Sequence, residues 1–372
     1  MKIVYVIDQF DDLNNGTTAT AQRSAEYLRS LGHEISICAI NSNNVEKQHV
    51  PIFQDLIEKQ GFAFAKIPED EVFRDIFADA DLVHFFLASP FCISGAKVAR
   101  SMNKPMLAAF HVQPKNISYS IKLGTVDRFN DRLYSLFHRT FYKYFNYIHC
   151  PSQMIADELK RHGYEQELAV ISNGVNEFYH PLPDIKRPEK YNGKILLLMV
   201  GRLSGEKRQD LLVDAIPYSK YQDKIQVIFA GAGPQDNALK ELSKSLKNPP
   251  VFGFYHAEQL REFYNFCDLY IHCADAEVEG ISCLEAITCG AVPVISDAPY
   301  SASSSFAISE KSVFKAGDPE DLARKIDYWI DHPEERKLYK QKYAKFAEKY
   351  KLSNCMDQMV RLYETILANH ED

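Results

Sequence analysis

Residues 277–296, EVEGISCLEAITCGAVPVIS, decide how this chain is read. Glu277 stands where an apolar, strand-like stretch (DLYIHCAD, 268–275) runs out into a loop. Glu285 follows eight positions later, inside a helix predicted from about Gly280 to Gly290, and a second apolar strand, AVPVIS, comes next. Strand, helix and strand in that order are the building block of a parallel α/β sheet. A helix opening with Gly280, Ile281 and Ser282 turns its unpaired backbone N–H groups toward whatever lies beyond the strand end, which makes an anion seat. Glu285, about one turn in, can face the same crevice. Carboxylates accept hydrogen bonds from hydroxyls while a helix terminus takes phosphates, so the arrangement suits a sugar linked to a diphosphate.

The rest of the chain carries the same pattern. In its first half, KIVYVID (2–8), EISICAI (34–40), a strand-like FAFAKI (62–67), DLVHFF (81–86), PMLAAF (105–110), YIHCPS (147–152) and LAVISNG (168–174) read as strands. Helices are expected between them, near residues 19–30, 51–60, 70–78 and 94–102. A second series begins with ILLLMVGR (195–202) and IQVIFAGAG (225–233), and passes through PVFGF (250–254) and the glutamate helix to a helix at 319–331. The last stretch, 334–369, is charged and helical in pattern. Alternation at this spacing predicts α/β architecture with two Rossmann-like domains. PLPDIKRPEKYNGK (181–194), with three prolines and six charges, reads as a linker. The expected domains are 1–182 and 183–352, with 353–372 a helix returning to the first. Two such domains imply a cleft lined by the carboxyl ends of both sheets.

Composition narrows the function classes. A length of 372 residues, 25% charged and 46% hydrophobic, is ordinary for a two-domain globular protein. The net charge of −7 argues against a general nucleic-acid binder. Eight scattered cysteines, without a Cys-x-x-Cys pair or zinc spacing, fit reduced, buried thiols. The chain opens on a strand without a signal-peptide leader, and no apolar run approaches the roughly 20 residues that span a bilayer. A cytoplasmic protein is expected, with any membrane contact peripheral, on the inner face of the cell membrane.

Five more features lie in or just after strands. MVGRLSGEKRQDLLVDAI (199–216) sets Arg202 and Lys207 after a strand, a planar fork and a movable point charge for phosphate oxygens. IFAGAGP places Gly231 and Gly233 after the next strand; without a third glycine the match to a dinucleotide fingerprint is weak, and a tight turn is the simpler reading. Phe252 lies in the following short strand. In the first half, Gly16 opens the loop after the first strand, and His111 ends PMLAAF.

Glu-x7-Glu followed by Ala and Gly-x-x-Pro-Val-Ile resembles the signature of retaining glycosyltransferases of the GT-B fold, in particular glycosyltransferase family 4. The likeness runs through the glycine loop, the strand-end histidine, Gly-Arg…Lys and Gly-x-Gly-Pro in order. It implies transfer of a hexose, glucose or galactose, from a UDP-sugar with retention, without a metal or other cofactor. In that reading His111, Arg202, Lys207 and Glu277 are the catalytic group. Gly16, Gly231, Gly233, Phe252, Gly280, Ile281, Ser282 and Glu285 complete the donor site. Glu277 then holds sugar hydroxyls and Glu285 the ribose. Departures also show: Asn15 replaces the first glycine of a pair, Glu279 replaces a large apolar residue, and DAPYSASSSFA (297–307) replaces a Gly-Gly pair.

Residues 115–147 hold six Lys/Arg against two Asp among many Phe and Tyr. Phe129, Leu133, Leu136, Phe137, Phe141, Tyr144 and Phe145 recur at helical spacing, with Arg128, Arg132, Arg139 and Lys143 opposite in polarity. Two readings stand: a helix packed into the core, or an interfacial helix on anionic lipid. The second makes a lipid hydroxyl the leading acceptor, with a glycan or small molecule behind it. A catalytically silent binding protein of the same fold is the alternative from another class.

Overall fold

The structure is a computed structural model that describes residues 1–11, 16–43, 45–49, 63–120 and 126–371. The helix expected near 51–60 lies outside the described residues. The chain divides into two compact units, Met1–Gly174 with Leu352–Asp372, and Val175–Lys351.

The first unit is built on six parallel strands: β1 (Lys2–Val6), β2 (Glu34–Cys38), β3 (Leu82–Phe85), β4 (Met106–Ala109), β5 (Tyr147–Cys150) and β6 (Glu167–Val170), in the order β2-β1-β3-β4-β5-β6. Strands β3 and β5 are buried at every residue, as expected where helices cover both faces of a parallel sheet. The helices are α1 (Gly16–Ser30), α2 (Asp70–Phe77), α3 (Pro90–Ser101), α4 (Pro114–Ser120), α5 (Asp127–Thr140) and α6 (Gln153–Arg161). Local chemistry sets their ends. Ser89 caps α3 by accepting from the Cys92 N–H, with Pro90 in the first turn where no N–H is needed. The described part of FAFAKI, 63–67, forms no sheet strand; Ala65 makes an isolated antiparallel bridge to Lys47. The Ala65 N–H goes instead to the buried carboxylate of Asp8, just past β1, at 3.1 Å.

The second unit repeats the design with β7 (Ile195–Val200), β8 (Ile225–Ala230), β9 (Val251–Gly253), β10 (Leu269–His272), β12 (Pro293–Ser296) and β14 (Val313–Phe314), all parallel, in the order β14-β12-β10-β7-β8-β9. A separate two-stranded sheet pairs β11 (Ala276–Glu277) with β13 (Tyr300–Ser301). Its helices are α7 (Gln209–Ala215), α8 (Asp236–Leu242), α9 (Ala257–Phe266), α10 (Ile281–Thr288), α11 (Pro319–Asp331) and α12 (Pro333–Ala347). The segment 181–194 belongs to this unit. The Leu182 N–H donates to Asn265, and Arg187 bonds Asp268 at 2.9 Å and the Phe266 carbonyl at 2.7 Å.

The charged stretch 334–369 is held in two helices. The chain leaves α12 through a 3-10 turn at Glu348–Tyr350, and Lys351 bridges to Val175. Then α13 (Leu352–Glu371) joins the first unit, burying Met356, Met359 and Ile366. Its Tyr363 hydroxyl lies 2.9 Å from His84 Nδ1 and 3.4 Å from the Tyr5 hydroxyl.

Candidate active site

Polar side chains gather at the strand ends of the second unit. After β7 the chain turns at Gly201 (φ +148°), and after β8 at Gly231 (φ +154°), conformations that favour glycine. The two turns pack backbone to backbone. A Cβ on Gly231 would lie 2.0 Å from the Gly201 carbonyl oxygen, and one on Gly233 2.3 Å from that of Leu203. Both glycines are therefore required by the close approach of two loops. Phe252 stands within β9 with its ring 5.3 Å from that of Phe229, and Gly253 ends the strand.

Lys207 reaches from this loop to Glu277, and the two side chains form an ion pair, 19% and 16% exposed. Burial works to lower the lysine pKa, but Glu277 overcomes it and the net movement is upward. For Glu277 burial pushes upward, and Lys207 and His272 together hold the carboxyl below its ordinary value. Arg202, one residue past Gly201, is brought down by burial against the pull of Glu206. Arg208, in left-handed backbone (φ +57°), clamps the loop by bonding Asp210 and Asp275.

Glu277 owes its position to the small β11–β13 sheet, where it pairs with Ser301. Helix α10 follows. Its cap, Gly280 (φ +94°), supplies no side chain, and a Cβ there would lie 2.2 Å from Ser303 Oγ. The Ser282 hydroxyl donates to the Val200 carbonyl at 3.1 Å and accepts from Tyr270 at 2.9 Å, which fastens the start of α10 to the end of β7. Glu285, one turn further, is buried and accepts from the Tyr264 hydroxyl at 3.0 Å. Burial is the main cause that raises the Tyr270 hydroxyl well above its ordinary pKa, and both Glu285 and Glu277 add to it. The two glutamates thus both act on Tyr270, while Ile281 and Ser282 open the helix that follows Glu277.

In the first unit His111 follows β4 by two residues and is 8% exposed. Its ring stacks 5.7 Å from Phe86 and meets His149 edge-on at 5.5 Å. Burial, seconded by His149, lowers its pKa to about 3, so the ring is neutral near pH 7. Its Nε2 has no hydrogen-bond partner among the described residues. Gly16 is the exposed first residue of α1, and Asn15 lies outside the described residues.

Helix α5 differs from its sequence reading in which side it buries. Asn130 and Tyr134 form the buried line, Phe129, Leu133 and Phe137 are half-buried, and Leu136 is 43% exposed. The cause is aromatic stacking: Tyr134 lies between Phe110 at 5.9 Å and His162 at 3.9 Å. Arg128, Arg132, Arg139 and Lys143 are exposed, and none has an acidic partner among the described residues. The two acids of α5 are turned elsewhere, Asp127 to Lys115 and Asp131 to His162.

Sequence reasoning did not single out Tyr264, Tyr270, His272, Ser303 or Arg208. The signal for two of them was present: Tyr270 and His272 put polar tips into a strand that is otherwise wholly apolar, where such groups need partners.

The chain is similar to known proteins in sequence and in fold. The sequence profile of the glycosyl transferases group 1 family matches residues 183–346, and that of glycosyltransferase family 4 matches residues 14–177. The chain is 26% identical over 323 residues to an alpha-monoglucosyldiacylglycerol synthase of Streptococcus pneumoniae, covering 81% of this chain and 72% of the relative. It is 21% identical over 318 residues to the alpha-monoglucosyldiacylglycerol synthase of Acholeplasma laidlawii, covering 79% and 80%. The sucrose-phosphate synthase of Thermosynechococcus elongatus superposes with a TM-score of 0.77 at 16% identity, covering 99% of each chain. Anabaena HepE gives 0.77 at 17% identity, covering 98% of this chain and 100% of its own. With both halves matched and two parallel six-stranded sheets, the chain is a GT-B glycosyltransferase and belongs to glycosyltransferase family 4.

Proposed function

We propose that this enzyme is a hexosyltransferase that moves glucose or galactose from a UDP-sugar to a hydroxyl of a membrane lipid, with retention at the anomeric carbon. The observation that carries the donor reading is the ion pair of Lys207 and Glu277 beside a helix mouth whose cap offers no side chain. In this reading the donor separates the pair: Lys207 turns to the diphosphate with Arg202, and Glu277 takes sugar hydroxyls. The N–H groups of Ile281 and Ser282 serve the same phosphates. Glu285, held by Tyr264, takes the ribose, and Gly231 and Gly233 keep the loop close enough for backbone to approach the nucleotide.

The bond from the anomeric carbon to the diphosphate oxygen breaks while the acceptor oxygen bonds that carbon on the same face. The acceptor's proton passes to the departing phosphate, so no side-chain base is needed. Charge developing on the diphosphate is met by fixed cations and helix N–H groups, the largest kind of catalytic contribution. The reading calls for no metal or other cofactor. In the same reading His111, neutral, orients the sugar or acceptor by hydrogen bonding, and Gly16 adds a backbone N–H for the phosphates.

Two observations favour a lipid acceptor. Both monoglucosyldiacylglycerol synthases among the relatives are named for glycolipid products. Arg128, Arg132 and Arg139 lie on the outer side of α5 with exposed Leu136, and none has an acidic partner among the described residues, the composition of an interfacial helix. Among the described residues no helix is long and apolar enough to cross a membrane. In this reading attachment is peripheral, on the cytoplasmic side, through α5. A screen of UDP- and GDP-sugars for thermal stabilisation and donor hydrolysis tests the donor half. Stabilisation by UDP-glucose or UDP-galactose supports it, and a response confined to GDP-sugars refutes it.

A further inference from the structure

His272 ends β10, is almost fully buried, and has no role in the donor reading above. Its Nε2 lies 3.0 Å from Ser303 Oγ and 3.8 Å from Glu277 Oε2. Ser303 comes from the 3-10 turn Ala302–Phe306, which follows β13 directly, and β13 is the strand that pairs with Glu277. One small sheet thus fixes both Glu277 and Ser303 around a single imidazole nitrogen. The packing is tight, since a side chain on Gly280 would collide with Ser303 Oγ. This is also the segment, DAPYSASSSFA, that departs from the usual glycine pair.

The surroundings choose the tautomer. A lone pair on Nε2 would face the Glu277 carboxylate, whereas an N–H there is attracted by it. With Nε2 protonated, the ring donates to Ser303 Oγ, and the Ser303 hydroxyl donates onward to the Glu279 carbonyl at 3.3 Å. Burial keeps this ring uncharged, lowering its pKa to about 4 against the pull of Glu277. It therefore acts as a neutral donor.

Resting on the donor-site reading, we propose that His272, held by Ser303, is the positioning residue for Glu277 and receives its carboxylate on Nε2–H when Lys207 leaves it for the diphosphate. Without this donor the buried carboxylate would lose its partner at the moment of sugar binding and turn away from the hydroxyls it must hold. His272 then governs how well the sugar is held, and has little to do with how tightly the nucleotide binds.

The test compares His272→Ala, His272→Gln and Ser303→Ala with the parent, using UDP-glucose turnover and calorimetry with UDP. His272→Ala is expected to lower kcat by about 10- to 100-fold while the Kd of UDP stays within about threefold. His272→Gln, which restores an N–H near the same place, recovers most of that loss, which a merely structural role would not predict. Ser303→Ala removes one hydroxyl from a buried site and lowers kcat about three- to tenfold; it carries the test if His272→Ala does not fold. Folded variants that keep the parent kcat, or that lose UDP affinity in step with kcat, overturn the inference alone. A parent protein that neither binds UDP nor turns over UDP-glucose overturns the donor-site reading and this inference with it.

Discussion

Replacing Lys207 by alanine should do two separable things, because its ammonium is both the proposed phosphate ligand and the partner of a buried carboxylate. The pair is less than one-fifth exposed at either end. Unit charges about 3 Å apart attract by roughly 5–6 kcal/mol at an effective dielectric near 20. Desolvation of both groups opposes this, and cutting one partner from a buried pair typically costs about 3–5 kcal/mol. Allowing for the exposed fraction, Lys207→Ala should cost about 2–4 kcal/mol at pH 7.5, or about 5–10 °C in the melting of the second unit. The sign with pH follows from the two directions. Glu277 is held below its ordinary pKa and Lys207 above, so the pair stabilises the fold above the unfolded carboxylate pKa and below the unfolded lysine pKa. In Lys207→Ala burial acts on Glu277 opposed by His272 without the lysine, so the deficit is largest at neutral pH and shrinks as the pH falls toward 4.5. Turnover should drop on the order of 10²–10³, the usual loss for one stabiliser of developing charge. The double variant Lys207→Met with Glu277→Gln separates the effects, since neutral groups of similar size restore most of the melting temperature and none of the activity. Melting at pH 7.5 and 4.5 and donor hydrolysis are the measurements. A Lys207→Ala protein with parental melting at pH 7.5 and full turnover would refute the reasoning.

Further outcomes follow from the same geometry. Glu285→Ala should weaken binding of free UDP, whereas Glu277→Ala should leave UDP binding nearly intact and reduce transfer; equal loss of UDP in both, by calorimetry, removes the division of roles. Asp8 is driven by burial from its ordinary value near 3.8 to about 6, so its native form holds a proton more tightly than the unfolded chain and stability is lost as pH rises through that window. Asp8→Asn should then melt higher at pH 7.5, by about 2–3 kcal/mol, with the gain vanishing below pH 4; an unchanged melting profile counts against it. Replacing Arg128, Arg132, Arg139 and Lys143 together by Gln should remove about 4 kcal/mol of attraction to anionic vesicles, roughly a thousandfold in partitioning, without altering UDP affinity. Parent binding to such vesicles should weaken with salt, and a parent that fails to sediment with them at any ionic strength assigns α5 to an ordinary solvated face.

The fold was legible wherever burial alone sets the pattern. DLVHFF, YIHC and DLYIHC are short, mainly apolar runs, and each proves to be a strand buried at every residue of its core. Elements fixed by particular partners were not legible. FAFAKI alternates like a strand, yet the Asp8 carboxylate takes the N–H of Ala65. The face of α5 misled because stacking on Phe110 and His162 turns Tyr134 inward and leaves Leu136 outside. The site was legible as residue types: Lys207 and Glu277 do come together. What the sequence could not reveal is that they meet each other directly, or that a two-residue strand at 300–301 brings Ser303 beside them. Pairings across 70 residues leave no periodicity to read.

The central claim is tested most directly by following one labelled sugar. The protein is incubated in EDTA with UDP-[14C]glucose or UDP-[14C]galactose and vesicles of diacylglycerol in anionic phospholipid, and the lipid extract is resolved and its anomeric linkage assigned by NMR. The account predicts a labelled glycolipid with an α linkage, lost in Lys207→Ala and undiminished by the chelator. Label that never enters the lipid phase, or enters it as the β anomer, would contradict it.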